Sequence, residues 1–233
     1  MGLHPSHVAR YDFAKKYTSE MTVLDVGCAD GFGVSMMVQN AKKVVGIDND
    51  KTLIVCAKEK YKSLKNAEFI IGDARRLPFP DNSFDVAVSF EIIEHLINQK
   101  NFLLELNRVV KRGGTVIIST PDHNANQKIG IYQPRHEGHG HPSELTFEQF
   151  FYLMNQYFDH LEFYGQFPYR DPSFKDRVVN AIKQIDFLNL RKLIPRKLRD
   201  KNNLSVYVYE QDFSIKKLIE PMVQILSIGI NKK

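Results

Sequence analysis

The chain has 233 residues and a net charge of +5, and 43% of its residues are hydrophobic. This length and hydrophobic content are enough for one full core with a small appendage. Its two cysteines, Cys28 and Cys56, do not form a C-x-x-C pair, so neither a disulfide framework nor a zinc or redox site is expected. The first residues lack the apolar run of a signal peptide and no stretch nears the length of a membrane span, so we expect a cytoplasmic protein with a single domain over residues 1–233.

The first predicted elements are a helix and a strand that ends in a glycine-rich loop. Ser6 is suited to cap a helix that continues to Tyr17, and the apolar run 23–26 predicts a strand. Helical character resumes at residues 34–38. The loop between them is built from small residues: Gly27, Cys28, Ala29, Gly31 and Gly33. A strand, a glycine loop and a helix in this order indicate a nucleotide site at the carboxyl edge of an open α/β sheet.

Two acidic residues accompany the loop and indicate which nucleotide it binds. Asp48 ends a second apolar run about twenty residues beyond Gly27, where such folds carry the acid that binds ribose hydroxyls. Asp25 lies two residues before Gly27, where a carboxylate repels a pyrophosphate and attracts an ammonium or sulfonium group. The spacing D-x-G-x-x-x-G-x-G also lacks the dinucleotide pattern. These features favour S-adenosylmethionine over NAD.

The following segments alternate between strand and helix patterns, which predicts a parallel, doubly wound sheet. A third strand ends at Asp73 and Ala74, and Gly113 with Gly114 is expected to form the turn before a fifth strand. The further strands are predicted at 67–71, 84–90, 115–119, 161–164 and 225–230, and the helices at 53–61, 102–110 and 146–156.

Several ordered motifs within residues 11–121 resemble the class I S-adenosylmethionine-dependent methyltransferases. They are the glycine loop, LPFPDNSFD at 77–85, EIIEHL at 91–96 and RVVKRGG at 108–114. The segment from His141 to Phe150 further resembles one found in small-molecule and glycan methyltransferases. Ala29 replaces the middle glycine of the family's first motif. The resemblance implies an α/β fold with a mostly parallel seven-stranded sheet, an antiparallel last strand and a helical insertion.

The resemblance also implies which residues bind S-adenosylmethionine. It assigns the methionine moiety and ribose to the loop from Gly27 to Gly33 beside Asp25, the ribose hydroxyls to Asp48 and Asn49, the adenine to Asp73 and Ala74, and the sulfonium side to Phe90 and Glu91. The methyl group of a sulfonium is already activated, so the protein mainly has to align the acceptor and exclude water.

A hydroxyl acceptor also needs its proton removed, commonly by histidine or a carboxylate. His95 and His141 are the candidates for this general base, although both positions are equally compatible with packing or loop histidines. His136, His139 and His141 lie in a glycine-rich stretch that is compatible with zinc or iron. Solvated histidines are common in such loops, so no metal is predicted.

Residues 167–221 form an insertion longer than a connecting loop, expected between the last two strands and over the acceptor site as a lid. Within it, residues 175–201 carry nine basic and three acidic side chains among apolar ones. This pattern fits a lid, a helix lying on an anionic membrane surface, or a solvated basic face.

The sequence thus predicts an enzyme that transfers a methyl group to a small-molecule or glycan acceptor, with oxygen as the expected atom. An RNA or protein methyltransferase that uses the basic insertion is an alternative. Nucleic acid is disfavoured because few aromatic residues interleave the basic run. A non-catalytic cofactor-binding partner protein is a further alternative, and a NAD-dependent dehydrogenase ranks last.

Overall fold

The computed structural model describes residues 5–123, 143–166 and 224–232. The described helices are α1 (Pro5–Ala14), α2 (Phe32–Met37), α3 (Lys51–Lys60), α4 (Gln99–Val109) and α5 (Phe147–Asn155), with 3₁₀ turns at Lys15–Tyr17 and Ile93–His95. The strands are β1 (Thr22–Val26), β2 (Lys43–Asp48), β3 (Ala67–Ile71), β4 (Phe84–Phe90), β5 (Val110–Pro121), β6 (Phe158–Gln166) and β7 (Gln224–Asn231).

The seven strands form one sheet in the order β3-β2-β1-β4-β5-β7-β6. Strands β1 to β5 pair in parallel, whereas β7 is antiparallel to both β5 and β6. This confirms the predicted fold class, including the antiparallel last strand. The strand order reverses between β1 and β4, and open α/β sheets bind ligands at the carboxyl ends of the strands beside such a reversal.

The core lies on both faces of the sheet because neighbouring residues of a strand point to opposite sides. In β1, Val23 packs in the cluster that includes residues of α1, α2 and α3, and Leu24 packs in the cluster that includes α4 and α5. All residues of β4 after Asp85 are buried, as the uninterrupted apolar run predicts. The sheet is therefore doubly wound.

Local signals explain where several helices begin. Asp50 caps α3 by accepting hydrogen bonds from the backbone N–H groups of Thr52 and Leu53. Thr146 and Gln149 form a capping box at the start of α5, in which each side chain binds the other residue's backbone N–H. Among the described residues, no helix is long and apolar enough to cross a membrane.

The predicted positions of most elements are confirmed to within a few residues, and β3 and β4 match fully. The predicted turn at Gly113 and Gly114 is wrong, because β5 already begins at Val110 and runs through both glycines. Val110 pairs with Phe84, and an irregularity in the ladder follows before Val86 pairs with Thr115. The extra residues of β5 between Val110 and Thr115 lie in this irregularity, where Gly113 has a φ of 73°.

The insertion 167–221, its basic part 175–201, His136, His139 and His141 lie outside the described residues. The single-domain organisation, the lid and the membrane contact stay predictions.

Candidate active site

Asp25 occupies a fully buried position in β1, beneath the glycine loop. The hydroxyl of Tyr11, from α1, lies 3.3 and 3.2 Å from its two carboxylate oxygens and donates a hydrogen bond to them. Burial raises the pKa of Asp25 to about 7, while the bond from Tyr11 lowers it and the nearby charge of Asp48 raises it further. The predicted anionic residue of the first motif therefore sits in a site that resists its ionisation until a cation arrives.

The loop that follows β1 is held closed by backbone contacts to β2. The N–H of Gly27 donates to the carbonyl of Ile47 at 2.8 Å. Gly31 starts α2 with a φ of 82°, a left-handed conformation that glycine adopts without strain. Ala29 takes up a similar conformation with a φ of 47°. The alanine in place of the family's middle glycine is thus accommodated at some backbone strain.

Asp48 lies at the carboxyl end of β2 and fastens the loop from below. Its Oδ2 accepts a hydrogen bond from the N–H of Ala29 at 2.9 Å, and its Oδ1 accepts one from the N–H of Asp50 at 2.9 Å. Each carboxylate oxygen accepts two hydrogen bonds, so capacity remains for ribose hydroxyls. Asn49, predicted alongside it, is exposed. Cys28 is buried in the core, and a Cβ on Gly46 would lie 2.8 Å from its sulfur.

Gly33 lies directly against the ring of Tyr11. A Cβ at this position would come within 2.0 Å of Tyr11 Cζ, far inside van der Waals contact. The ring also packs edge-on against Phe90 at the end of β4, with 4.9 Å between ring centroids. Tyr11 therefore contacts the glycine loop, Asp25 and Phe90, although none of the family motifs in the sequence contains it.

Asp73 follows β3 at the same edge of the sheet. Its carboxylate binds the guanidinium of Arg75 at 2.7 Å and the backbone N–H of Arg75 at 2.8 Å, and these bonds lower its pKa. An adenine amino group would share these oxygens with an exposed arginine. Ala74, the predicted contact to the adenine ring, packs against the core.

Glu91 continues from β4 in a left-handed conformation, with a φ of 60°. Its N–H donates to the carbonyl of Ser119, and its Oε1 accepts a bond from the Ser119 hydroxyl at 3.0 Å. The buried guanidinium of Arg10, from α1, lies 3.6 Å from the same oxygen. A non-glycine residue in this conformation is found where surrounding contacts enforce it, commonly at functional sites.

Glu94, one turn further, is fully buried. Its Oε2 accepts a bond from the Thr120 hydroxyl at 3.3 Å, and Oε1 has no hydrogen-bond partner within the part of the chain that the structure describes. Burial raises the pKa of Glu94 strongly, and the charge of Glu91 raises it further. Glu94 is therefore expected to hold a proton at neutral pH.

The two predicted base candidates are placed unequally. His95 is exposed at the end of the 3₁₀ turn Ile93–His95, and His141 is outside the described residues. His123 was not among the predicted bases, and its Nδ1 lies 3.1 Å from Glu144 Oε2 beyond the end of β5. The two residues are twenty-one positions apart, so only the fold reveals the pair. No group of three or more potential metal ligands is found among residues 5–123, 143–166 and 224–232.

Four of the predicted cofactor residues thus lie at the carboxyl edge of the sheet, because each is at or just beyond the end of a parallel strand. They are Asp25, Asp48, Asp73 and Phe90. Their individual roles in binding the cofactor stay predictions. Residues 24–118 match the protein family described as a methyltransferase domain.

Curated relatives match about two fifths of the chain. A Mycolicibacterium smegmatis protein named as a probable S-adenosylmethionine-dependent methyltransferase is 36% identical over 100 residues, covering 43% of this chain and 38% of the relative. Demethylmenaquinone methyltransferase of Staphylococcus aureus is 38% identical over 104 residues, covering 42% of each chain. The chain thus spans less than half the length of these relatives.

Solved structures extend the likeness in fold to nearly the whole chain. A Thermotoga maritima S-adenosylmethionine-dependent methyltransferase, described as a possible histamine N-methyltransferase, superposes with a TM-score of 0.64 at 15% identity. The superposition covers 97% of this chain and 89% of the other. At this identity the likeness shows the fold alone, and the assignment rests on the matched segment. Over residues 24–118, the chain is therefore similar to S-adenosylmethionine-dependent methyltransferases, and its fold is the fold of the solved methyltransferase structure.

Proposed function

We propose that this protein transfers the methyl group of S-adenosylmethionine to a hydroxyl oxygen of a small-molecule or glycan acceptor. The observation that carries the proposal is the glycine loop between Asp25 and Asp48. Its backbone is fixed by Asp48 and by Ile47, and a buried carboxylate lies beneath it. This loop suits a cofactor with a ribose and two cationic centres. A buried carboxyl group whose pKa lies near 7 is stabilised in its ionised form by a positively charged ligand.

The charge of the neighbouring residues supports a neutral or cationic acceptor. Three acidic residues, Glu91, Asp122 and Glu144, lie at or beyond the carboxyl ends of β4 and β5, against one buried arginine, Arg10. A polyanion such as RNA would be repelled close to the reacting centre. The demethylmenaquinone methyltransferase among the relatives also favours a small acceptor.

The test has two stages. Calorimetry with S-adenosylhomocysteine first measures whether the protein binds the spent cofactor. Transfer of a tritiated methyl group from S-adenosylmethionine is then compared between solvent-extracted small molecules, oligosaccharides, RNA and protein from one extract. Label in the small-molecule or oligosaccharide fraction, stable to acid as an ether is, supports the proposal. Label confined to RNA or protein would favour the alternative acceptor classes.

Binding of the cofactor without any transfer would instead support a non-catalytic partner protein.

The basic segment 175–201 gives a separate proposal, a peripheral contact with anionic membranes. Vesicles containing phosphatidylserine, but not neutral vesicles, should then retain the protein at low salt and release it as salt screens the charges. Equal retention on both kinds of vesicle, or none, contradicts that contact.

A further inference from the structure

His123 and Glu144 form a histidine–carboxylate pair at the carboxyl edge of the sheet. The Nδ1 atom of His123 lies 3.1 Å from Oε2 of Glu144, and their side chains are 33% and 17% exposed. The backbone fixes both members: the N–H of His123 donates to the carbonyl of Leu145 at 3.1 Å, and Asp122 bridges to Leu145 as in a parallel ladder. The pair is therefore ordered by main-chain contacts and remains accessible to a ligand.

The same segment is fastened to the residues that follow β4. The N–H of Ser143 donates to the carbonyl of Glu94 at 3.1 Å. The amide of Gln99 donates to the carbonyls of Ile93 and Ser143, at 3.0 and 2.9 Å. Glu144 thus directly follows Ser143, which is hydrogen-bonded to Glu94 in the 3₁₀ turn after Glu91. The pair lies beside the edge at which the sulfonium side of the cofactor is predicted.

A neutral imidazole that donates its Nδ1 proton to a carboxylate presents an unprotonated Nε2, which is the arrangement of a general base. The carboxylate fixes the tautomer and stabilises the imidazolium formed when the base accepts a proton. We propose that His123, oriented by Glu144, is the general base of the methyl transfer; this rests on the proposed function. His123 accepts the hydroxyl proton while the acceptor oxygen forms a bond to the methyl carbon. The carbon–sulfur bond breaks with its electrons going to sulfur, and the proton then passes to solvent.

Glu144 is a positioning residue in this proposal, and His123 is the catalytic one. Within the part of the chain that the structure describes, Asp122, Glu94 and His95 are titratable groups on the segments beside the pair. Glu94 is fully buried, and His95 is exposed beyond the 3₁₀ turn. His123 is set apart by its Nδ1 contact with Glu144 and by its partial exposure beyond the end of β5.

A first experiment needs no acceptor. Nitrogen-15 NMR of histidine-labelled protein, with His123→Gln to assign the signal, reports which ring nitrogen carries the proton. The expected result is a proton on Nδ1 of His123 and a change of this pattern in Glu144→Ala, which removes the acceptor of that proton. A proton held on Nε2 in the neutral ring would overturn the proposal, because that atom could not accept one.

The second experiment measures transfer to the fraction that the wild-type protein labels. His123→Ala should lower turnover about 10²–10⁴-fold, and added imidazole should restore part of it, which a structural role would not allow. Glu144→Gln should lose less, since the amide still holds the ring. His160→Ala is the matched control, because His160 is exposed in β6 near Phe158, at the opposite end of the sheet.

Calorimetric binding of S-adenosylhomocysteine serves as the folding control for each variant and should be unchanged. Full turnover in His123→Ala, or a loss confined to His95→Ala or His141→Ala, overturns the assignment while leaving the proposed function intact. If the wild-type protein binds the cofactor but labels no fraction, the proposed function fails and this inference fails with it.

Discussion

The hydroxyl of Tyr11 donates to the carboxylate of Asp25, so that the first helix contributes directly to the predicted cofactor site. Both residues are buried, and burial raises the pKa of each of them. The tyrosine therefore remains a donor at every physiological pH, and Asp25 is the member of the pair that titrates. Cofactor binding and protonation should be linked through Asp25.

Stability should depend on pH through Asp25. Its folded-state pKa, about 7, is raised above the usual value of 3.8, so the folded protein binds more protons than the unfolded chain between about pH 4 and 7. This contribution to stability is complete below pH 4 and is lost as the pH rises to about 7. The melting temperature of the unliganded protein should fall over this range less in Asp25→Asn than in the wild-type protein. An identical pH dependence in both would contradict the linkage.

Affinity for S-adenosylmethionine should follow the opposite trend. The cationic ligand favours ionised Asp25, so binding below pH 7 should release a proton and affinity should rise with pH, by up to about tenfold per unit. Calorimetry in buffers of different ionisation enthalpy measures the released proton directly. Tyr11→Phe removes the hydrogen bond that lowers the pKa of Asp25, so the rise should shift to higher pH. Loss of proton release in Asp25→Asn completes the test.

The contact between Gly33 and Tyr11 predicts strong coupling between two motifs that are far apart in sequence. Gly33→Ala places a methyl group inside the Tyr11 ring, which should cost about 1–3 kcal/mol in unfolding free energy and weaken cofactor binding. In a Tyr11→Ala background the same change should cost much less. Urea unfolding of the single and double variants measures this coupling. Gly113→Ala is the control, because nothing lies within 4 Å of the added Cβ and only the left-handed φ is affected.

Asp48 offers a test of the ribose assignment with its neighbour as the control. Asp48→Ala should weaken S-adenosylmethionine binding by about 2–3 kcal/mol, since it removes charge-assisted bonds to the ribose and the bond to Ala29. Asp50→Ala removes only the cap of α3, which should lower the unfolding free energy by about 1 kcal/mol and leave affinity unchanged. Unchanged affinity of a folded Asp48→Ala protein would contradict the ribose role.

The strand-end positions of the proposed cofactor residues could be predicted from the sequence. Asp25, the glycine loop and Asp48 occupy strand ends, and parallel strands bring those ends together whatever the helices do. Tyr11 was predicted only as part of a helix, because its position over Gly33 depends on how α1 packs. His123 and Glu144 are separated by about twenty residues that show no periodic pattern. Their contact could therefore not be predicted from the sequence.

The start of β5 was missed for a related reason. Gly113 and Gly114 are typical of a turn, yet Val110 already pairs with Phe84 before them. Gly113 keeps its left-handed φ of 73° within an irregularity of the strand, and the pairing of Val110 with Phe84 places the start of β5 ahead of it. Strand pairing is a tertiary interaction, so the local sequence pattern does not reveal it.

Arg108 explains why the LPFPD passage lies where it does, and this leads to a stability prediction. Its guanidinium donates to the carbonyls of Leu77 and Phe79 at 2.9 and 2.7 Å and to the carboxylates of Asp81 and Glu105. Arg108→Lys keeps the charge but cannot reach all four partners at once. The two lost bonds to carbonyls should lower the unfolding free energy by about 2 kcal/mol.

Lys111→Ala is the matched control for this prediction, because Lys111 makes an ion pair with Asp85 while remaining 48% exposed. Exposed pairs of this kind contribute about 1 kcal/mol or less. Urea unfolding followed by circular dichroism measures both changes, with equal slopes required for the comparison. An Arg108→Lys protein no less stable than Lys111→Ala would show that the passage is held by the apolar contacts of Leu77 and Phe79 rather than by the guanidinium. The larger loss expected for Arg108 follows from geometry, since only a planar fork satisfies two backbone carbonyls and two carboxylates together.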